Sequence, residues 1–138
     1  MFSLFVALTG LAAVPAHAEG DQRPPAAVDA RTGLSLAQWE CSVGDLCVWT
    51  GQNGTGSRCA WTNSDNDWLA GAIQCSWAAG SDVHSLWNRG TSTGYSGVAV
   101  YNDANYVNRW WCSPQGTVWT WEYSGVRLRS HRWVSGTC

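Results

Sequence analysis

Residues 41–61 read CSVGDLCVWTGQNGTGSRCAW, and this stretch decides the fold. It holds two short runs of β type, 46–50 and 57–61, on either side of a turn-rich tip, 51–56. The tip contains Asn53-Gly54 and ends in Gly56. Asn and Gly accept positive φ at little cost, so the chain can reverse there. Each run carries Cys-x-Trp: Cys47 and Trp49, then Cys59 and Trp61. Side chains alternate across a strand, so the Cys and Trp of each pair share a face. The stretch predicts a β-hairpin whose inner face is made of indoles and sulfur.

Downstream, short strands recur at 83–89, 98–102, 109–112, 118–123 and 126–133, separated by Gly- and Asn-rich turns. No segment after residue 41 sustains a helical period. The pattern predicts an all-β sandwich. A repeat sharpens it: VWTGQN at 48–53 matches VYNDAN at 100–105, an offset of 52. Val83-x-Ser85 matches Leu128-x-Ser130 at an offset of 45. The first copy therefore carries a longer insertion, placed in 62–80 and read as a long loop pinned by Cys75. Two copies of hairpin, loop and returning strand are two Greek-key motifs.

Ahead of the hairpin, residues 19–40 contain Pro24-Pro25 and few large apolar groups, and read as a flexible arm. Within them, Leu34-Ser35-Leu36 is a weak strand candidate. Residues 1–18 read as a secretory signal: an apolar run at 4–14, then Pro15 and Ala16-His17-Ala18. No Lys or Arg precedes the run, and it is too short to span a bilayer. The expected organisation is a signal at 1–18, an arm at 19–40 and one domain at 41–138, secreted and with no membrane contact after cleavage.

The chain of 138 residues has a net charge of −2 and no Lys. Of its eight Arg, only Arg127, Arg129 and Arg132 cluster, which reads as a solvated sheet face and not as a nucleic-acid site. Beyond residue 18 there is no Phe and no Met, so eleven Trp supply most of the large apolar surface. Trp49, Trp61, Trp87 and Trp119 are expected in the core; Trp68, Trp77, Trp110 and Trp111 are expected to be partly exposed. Six Cys point to three disulfides and an oxidising compartment. Of fifteen connectivities, Cys41–Cys47, Cys59–Cys75 and Cys112–Cys138 is the preferred set. The cysteine spacings of 6, 12, 16, 37 and 26 contain no CxxC, which argues against zinc. No cofactor is expected. Asp82-x-His84-Ser85 imitates a catalytic triad, but neighbours on a strand point to opposite faces. There is no HExxH, GxSxG or phosphate loop, so the chain does not read as an enzyme.

Cys-x-x-Gly-x-Leu-Cys-Val-Trp-Thr-Gly at 41–51, Ser-Leu-Trp-Asn-Arg at 85–89 and Val-Tyr-Asn-Asp-Ala-Asn-Tyr at 100–106 resemble a family of small secreted peptidase inhibitors. Its type is the Streptomyces metalloproteinase inhibitor. The resemblance covers about 41–133 and implies a βγ-crystallin-like fold. In that fold each motif has two aromatics followed by a Gly. Tyr101, Tyr106 and Asn108 fit with Asn in place of Gly, while Trp49 and Gly56 fit with Gly54 in place of the second aromatic. Ser85 and Ser130 match the serine that ties the folded hairpin to its neighbour. Some members of the fold bind calcium, but 81–86 keeps only Asp82 and one serine of the ligand pattern, and 126–131 has no carboxylate.

The resemblance implies a monomeric inhibitor of an extracellular peptidase, a metallopeptidase first, acting through a rigid loop. The candidate contact is Arg109, Trp110, Trp111, Cys112 and Ser113, in a loop running to Gly116. Cys112 would hold it, Pro114 fixes its own φ, a Trp can fill a pocket and Arg109 can meet acidic groups. The competing reading is that 109–112 is simply the second strand of the repeat hairpin. The competing function is a Trp-rich module that binds polysaccharide or cell wall, since indoles stack on sugar faces. Such a module would line its aromatics along one sheet face, and here they are scattered.

Overall fold

A computed structural model describes residues 25–138. The expected signal, 1–18, and residues 19–24 of the expected arm lie outside the described residues. The remainder is all-β, with nine strands, three short 3₁₀ turns and no α-helix among the described residues. The strands are β1 (Ala27–Asp29), β2 (Ser35–Leu36), β3 (Leu46–Trp49), β4 (Gly56–Trp61), β5 (Ser85–Asn88), β6 (Gly97–Tyr101), β7 (Arg109–Pro114), β8 (Val118–Thr120) and β9 (Ser130–Val134). They form a six-stranded sheet, β2-β1-β4-β3-β5-β8, and a three-stranded sheet, β7-β6-β9. Disulfides join Cys41 to Cys47, Cys59 to Cys75 and Cys112 to Cys138, the preferred set.

The opening hairpin is β3–β4, but its register divides the two Cys-x-Trp pairs. Leu46 lies opposite Trp61, and Cys47 opposite Ala60. Each pair shares a face as alternation requires, yet the two faces are opposite. Cys59 and Trp61 turn inward with Leu46 and Val48 to the core between the sheets. Cys47 and Trp49 turn outward, against Cys41, Ala27 and Trp39. The expected single face of indoles and sulfur is thus corrected to two, one on each side of β3–β4.

That outer face needs a cover, and residues 27–39 supply it. The flexible arm expected at 19–40 is corrected for this part. β1 runs parallel to β4, and β2 pairs with β1. Arg58 on β4 reaches the Asp29 carboxylate at 2.8 Å. Trp39 meets Trp49 edge-on, with ring centroids 5.3 Å apart. Covering an apolar face in this way contributes roughly 25 cal/mol for each Å² removed from water, which is what holds so short a pair of strands in place.

The sequence repeat is a repeat of geometry. Positive φ occurs at Asn53 (55°), Gly54 (69°) and Gly56 (80°), and again at Asn105 (59°), Tyr106 (60°) and Asn108 (55°). Ser85 Oγ donates to the Gly51 carbonyl at 2.6 Å and accepts from the Gly54 N–H at 2.9 Å. Ser130 Oγ donates to the Asp103 carbonyl at 2.6 Å and accepts from the Tyr106 N–H at 3.2 Å. In each copy the serine on the returning strand, β5 or β9, fastens the folded hairpin tip. Where the second copy has the Tyr106 ring against Tyr101, the first has Gly54, and Trp39 fills the space. A Cβ on Gly54 would lie 2.5 Å from Trp39 Cδ2.

Three expectations about indoles are also corrected. Trp68, expected to be partly exposed, is fully buried. It stacks on Trp61 at 4.6 Å, and its indole N–H donates to His131 Nδ1 at 2.8 Å. The insertion that carries it is held down by Cys59–Cys75, by paired backbone bonds between Asp65 and His131, and by the Trp68 N–H to the Arg129 carbonyl. Trp119, expected in the core, is 46% exposed because β8 is the outermost strand of its sheet. Trp87, also expected in the core, is only partly buried against the outer cluster.

Candidate functional site

Residues 109–114 form β7, an edge strand paired with β6, so the candidate contact is a strand and not the expected loop. The competing strand reading is the correct one for these residues. The pairing is nevertheless irregular. Val100 lies opposite Trp111 and Tyr101 opposite Arg109, which leaves Trp110 as an extra residue in a β-bulge. A bulge kinks the strand and re-aims a side chain. Strict alternation would send Trp110 and Trp111 to opposite faces, and the bulge instead brings both to one groove.

The five candidate residues divide by burial. Arg109 and Trp110 are exposed, Trp110 by 52%, and Trp111 is half-buried. Cys112 and Ser113 are buried. Cys112 is held by Cys138, the Ser113 hydroxyl lies 2.6 Å from Thr117 Oγ1, and the Ser113 carbonyl accepts from Asn88 Nδ2 at 2.7 Å. Cys112 and Ser113 therefore anchor the strand from inside and offer no contact surface. Arg109 takes part in none of the ion pairs among the described residues.

Two residues that sequence reasoning did not assign to the site complete it. Trp119 and Trp121 share one face of β8 and its continuation, and with Trp110 and Trp111 they line a groove of about 250 Å³. Trp111 stands perpendicular to Trp119 at 4.9 Å and to Trp121 at 6.4 Å. Trp111 and Trp121 rest on the main core and form the floor. Trp110 and Trp119, each about half exposed, form the walls. The groove thus opens between the edge strand of the small sheet and the edge strand of the large one. The signal was present in Val118-Trp-Thr-Trp121, a period-two pattern whose indoles fall on one face.

Two residues of the triad-like Asp82-x-His84-Ser85 have other tasks. Ser85 is buried and committed to the hairpin tip, and Asp82 pairs with Arg127 at 2.9 Å. The same ion pair occupies the one carboxylate of the calcium-like pattern. His131 is fully buried: Nδ1 accepts from Trp68, and Nε2 lies 3.0 Å from the Asn63 carbonyl. Burial pushes its pKa down to about 4, so the imidazole is neutral at physiological pH.

The model of peptidase inhibitor family I36 matches residues 35–113, from β2 through most of β7. The chain belongs to this family, the family of the Streptomyces metalloproteinase inhibitor. A peptidase is accordingly its implied partner, and inhibition its implied activity. No curated protein matches the chain.

Proposed function

We propose that this protein blocks an extracellular peptidase, a metallopeptidase by its family, by presenting the bulged edge of β7. The observation that carries the reading is Trp110: an indole 52% exposed, raised by a bulge, at the mouth of a groove built of three more indoles. Contiguous apolar surface of this kind on a small domain marks a contact with another macromolecule. Indoles and arginines are the side chains that most often dominate binding energy at interfaces. Arg109 stands next to Trp110 and is available to acidic groups bordering a peptidase cleft.

An inhibitor has to enter a cleft without losing much freedom on doing so. A strand with its β6 pairing, the Cys112–Cys138 bridge and the buried Ser113 meets that requirement. Rigidity here comes from the sheet, where the sequence suggested a disulfide-held loop. The three disulfides support secretion, because such bonds persist in oxidising compartments. The reading of the fold as two βγ-crystallin-type Greek keys rests on three features: the paired serine fasteners, β8 lying beside β5 of the first copy, and the Asp65–His131 bridge reaching β9 of the second. The second copy lends β8 to the first copy's sheet, and the first copy reaches β9 through the single Asp65–His131 bridge. The protein acts as a monomeric, non-catalytic binder.

The test is an inhibition panel of metallo-, serine and cysteine peptidases with the oxidised protein, followed by Trp110→Ala. The expected result is inhibition of a metallopeptidase, weakened at least about tenfold in the variant, a change of roughly 1.4 kcal/mol or more. Inhibition unchanged by Trp110→Ala, with the disulfides intact, places the contact elsewhere. No inhibition of any class overturns the reading.

A further inference from the structure

On another part of the surface lies a second groove, of about 520 Å³, between residues 62–64, 90–95 and 133. Its chemistry differs from that of the indole groove. Tyr95 and Trp133 are stacked, with centroids 6.4 Å apart and planes within 29°. The Trp133 indole N–H donates to the Thr62 carbonyl at 2.9 Å, and its backbone N–H donates to Ser64 Oγ at 3.0 Å. The ring is thereby fixed from two sides. A Cβ on Gly90 would lie 2.6 Å from Trp133 Cζ3, so the indole lies where only a glycine leaves room. Around the rings stand Asn63, Thr91 and Gln115, and no lining residue carries a charge. The side-chain amide of Asn63, the Thr91 hydroxyl and the Tyr95 phenol make no hydrogen bond to other described residues, whereas Gln115 Nε2 already donates to the Ser92 carbonyl at 2.8 Å and leaves its amide oxygen to the groove.

We propose that this groove binds a neutral sugar ring of an oligosaccharide. A pyranose has a face of C–H groups and a rim of hydroxyls. The C–H face packs on an aromatic plane, which gives up little because both surfaces are weakly hydrated. The rim hydroxyls need donors and acceptors in return, since a polar group that leaves water without a replacement bond weakens binding. Tyr95 and Trp133 supply the plane, and Asn63, Thr91 and Gln115 supply both kinds of partner. Uronic or phosphorylated sugars lack a cation here. The indole groove at β7 lacks the polar rim, which suits it to apolar side chains instead. The two grooves thus differ in chemistry: one is lined by indoles alone, the other by an aromatic pair with a polar rim.

The test uses the full oxidised protein titrated calorimetrically with soluble cello-, xylo- and chito-oligosaccharides, and with an oligogalacturonate as the acidic comparison. At least one neutral oligosaccharide is expected to bind, and Tyr95→Ala is expected to weaken it about tenfold or more. Asn63→Ala, which keeps the carbonyl facing His131, should weaken it as well. Trp110→Ala should bind sugar like the parent, and Tyr95→Ala should inhibit peptidases like the parent, so that the two sites fail separately. The proposal is overturned if no neutral oligosaccharide binds, if only the acidic one does, or if binding survives Tyr95→Ala in a protein with the parental far-ultraviolet dichroism and denaturant midpoint.

Discussion

The indole N–H of Trp68 meets Nδ1 of His131 at 2.8 Å, and this bond ties the long insertion of the first copy to the last strand of the second. The geometry requires a neutral imidazole with its proton on Nε2, where the Asn63 carbonyl accepts it. A second proton would set two N–H groups against each other inside the core.

A pH dependence follows. The imidazole titrates near 6.5 when unfolded and at about 4 in the fold. Between those values the unfolded chain binds more protons, so stability rises with pH and this contribution is complete above about 6.5. The full span is on the order of 3 kcal/mol. Asp67, held low chiefly by its hydrogen bond from Arg129, loses its contribution only below its ordinary 3.8. Asp65, raised by desolvation, acts with the opposite sign at the low end of the window. Urea titrations between pH 4.5 and 7 should show the rise in the parent and lose most of it in His131→Gln. An equal slope in both proteins would assign the effect to other groups.

The serine fasteners should act independently. Ser85→Ala and Ser130→Ala each remove a buried hydroxyl that gives its tip a donor and an acceptor, at an expected loss of about 1–3 kcal/mol apiece. Their contacts fall in separate copies, so the losses should add in the double variant. Denaturant midpoints measured with unchanged slopes check this. A neutral Ser85→Ala would mean that water replaces the hydroxyl.

Trp39 and Gly54 should be coupled. Gly54→Ala meets both a φ of 69° and a Cβ position 2.5 Å from the Trp39 ring. Removing the ring alone, as Trp39→Ala, should cost about 2 kcal/mol, below the 3–5 typical of a fully buried indole. In the Trp39→Ala background, Gly54→Ala should cost less than it does in the parent. Strict additivity would show that backbone strain alone penalises the alanine.

The bridge at the chain end should be worth roughly 3 kcal/mol by loop entropy, since it closes a separation of 26 residues. The pair Cys112→Ser with Cys138→Ser should lower the thermal midpoint and also weaken peptidase inhibition, because β7 loses an anchor beneath Trp110. Retained inhibition at a temperature where the variant is folded would show that the β6 pairing is enough to hold the edge.

How much of this was legible in the sequence varies with the range of the interaction. Asn53-Gly54 and Asn105 mark their turns because positive φ is a local demand on one residue. The offsets of 52 and 45 located Ser85 and Ser130 because each copy must fasten the same tip with the same atoms. Belonging to a family of peptidase inhibitors was equally readable, in 41–51 and 85–89. Only the tertiary structure decided which face each indole takes. Register put Cys47 and Cys59 on opposite sides of one hairpin, a difference of one residue that no local pattern carries. Burial of Trp68 depended on the insertion folding over Trp61, and exposure of Trp119 on β8 having no outer neighbour. The bulge at Trp110 came from pairing with β6, which a single strand read alone does not contain. Alternation, turn propensity and repeat spacing are properties of a chain segment. Coverage of a sheet face and the meeting of two edge strands are properties of pairs of segments far apart in the chain, and there the indole groove is made.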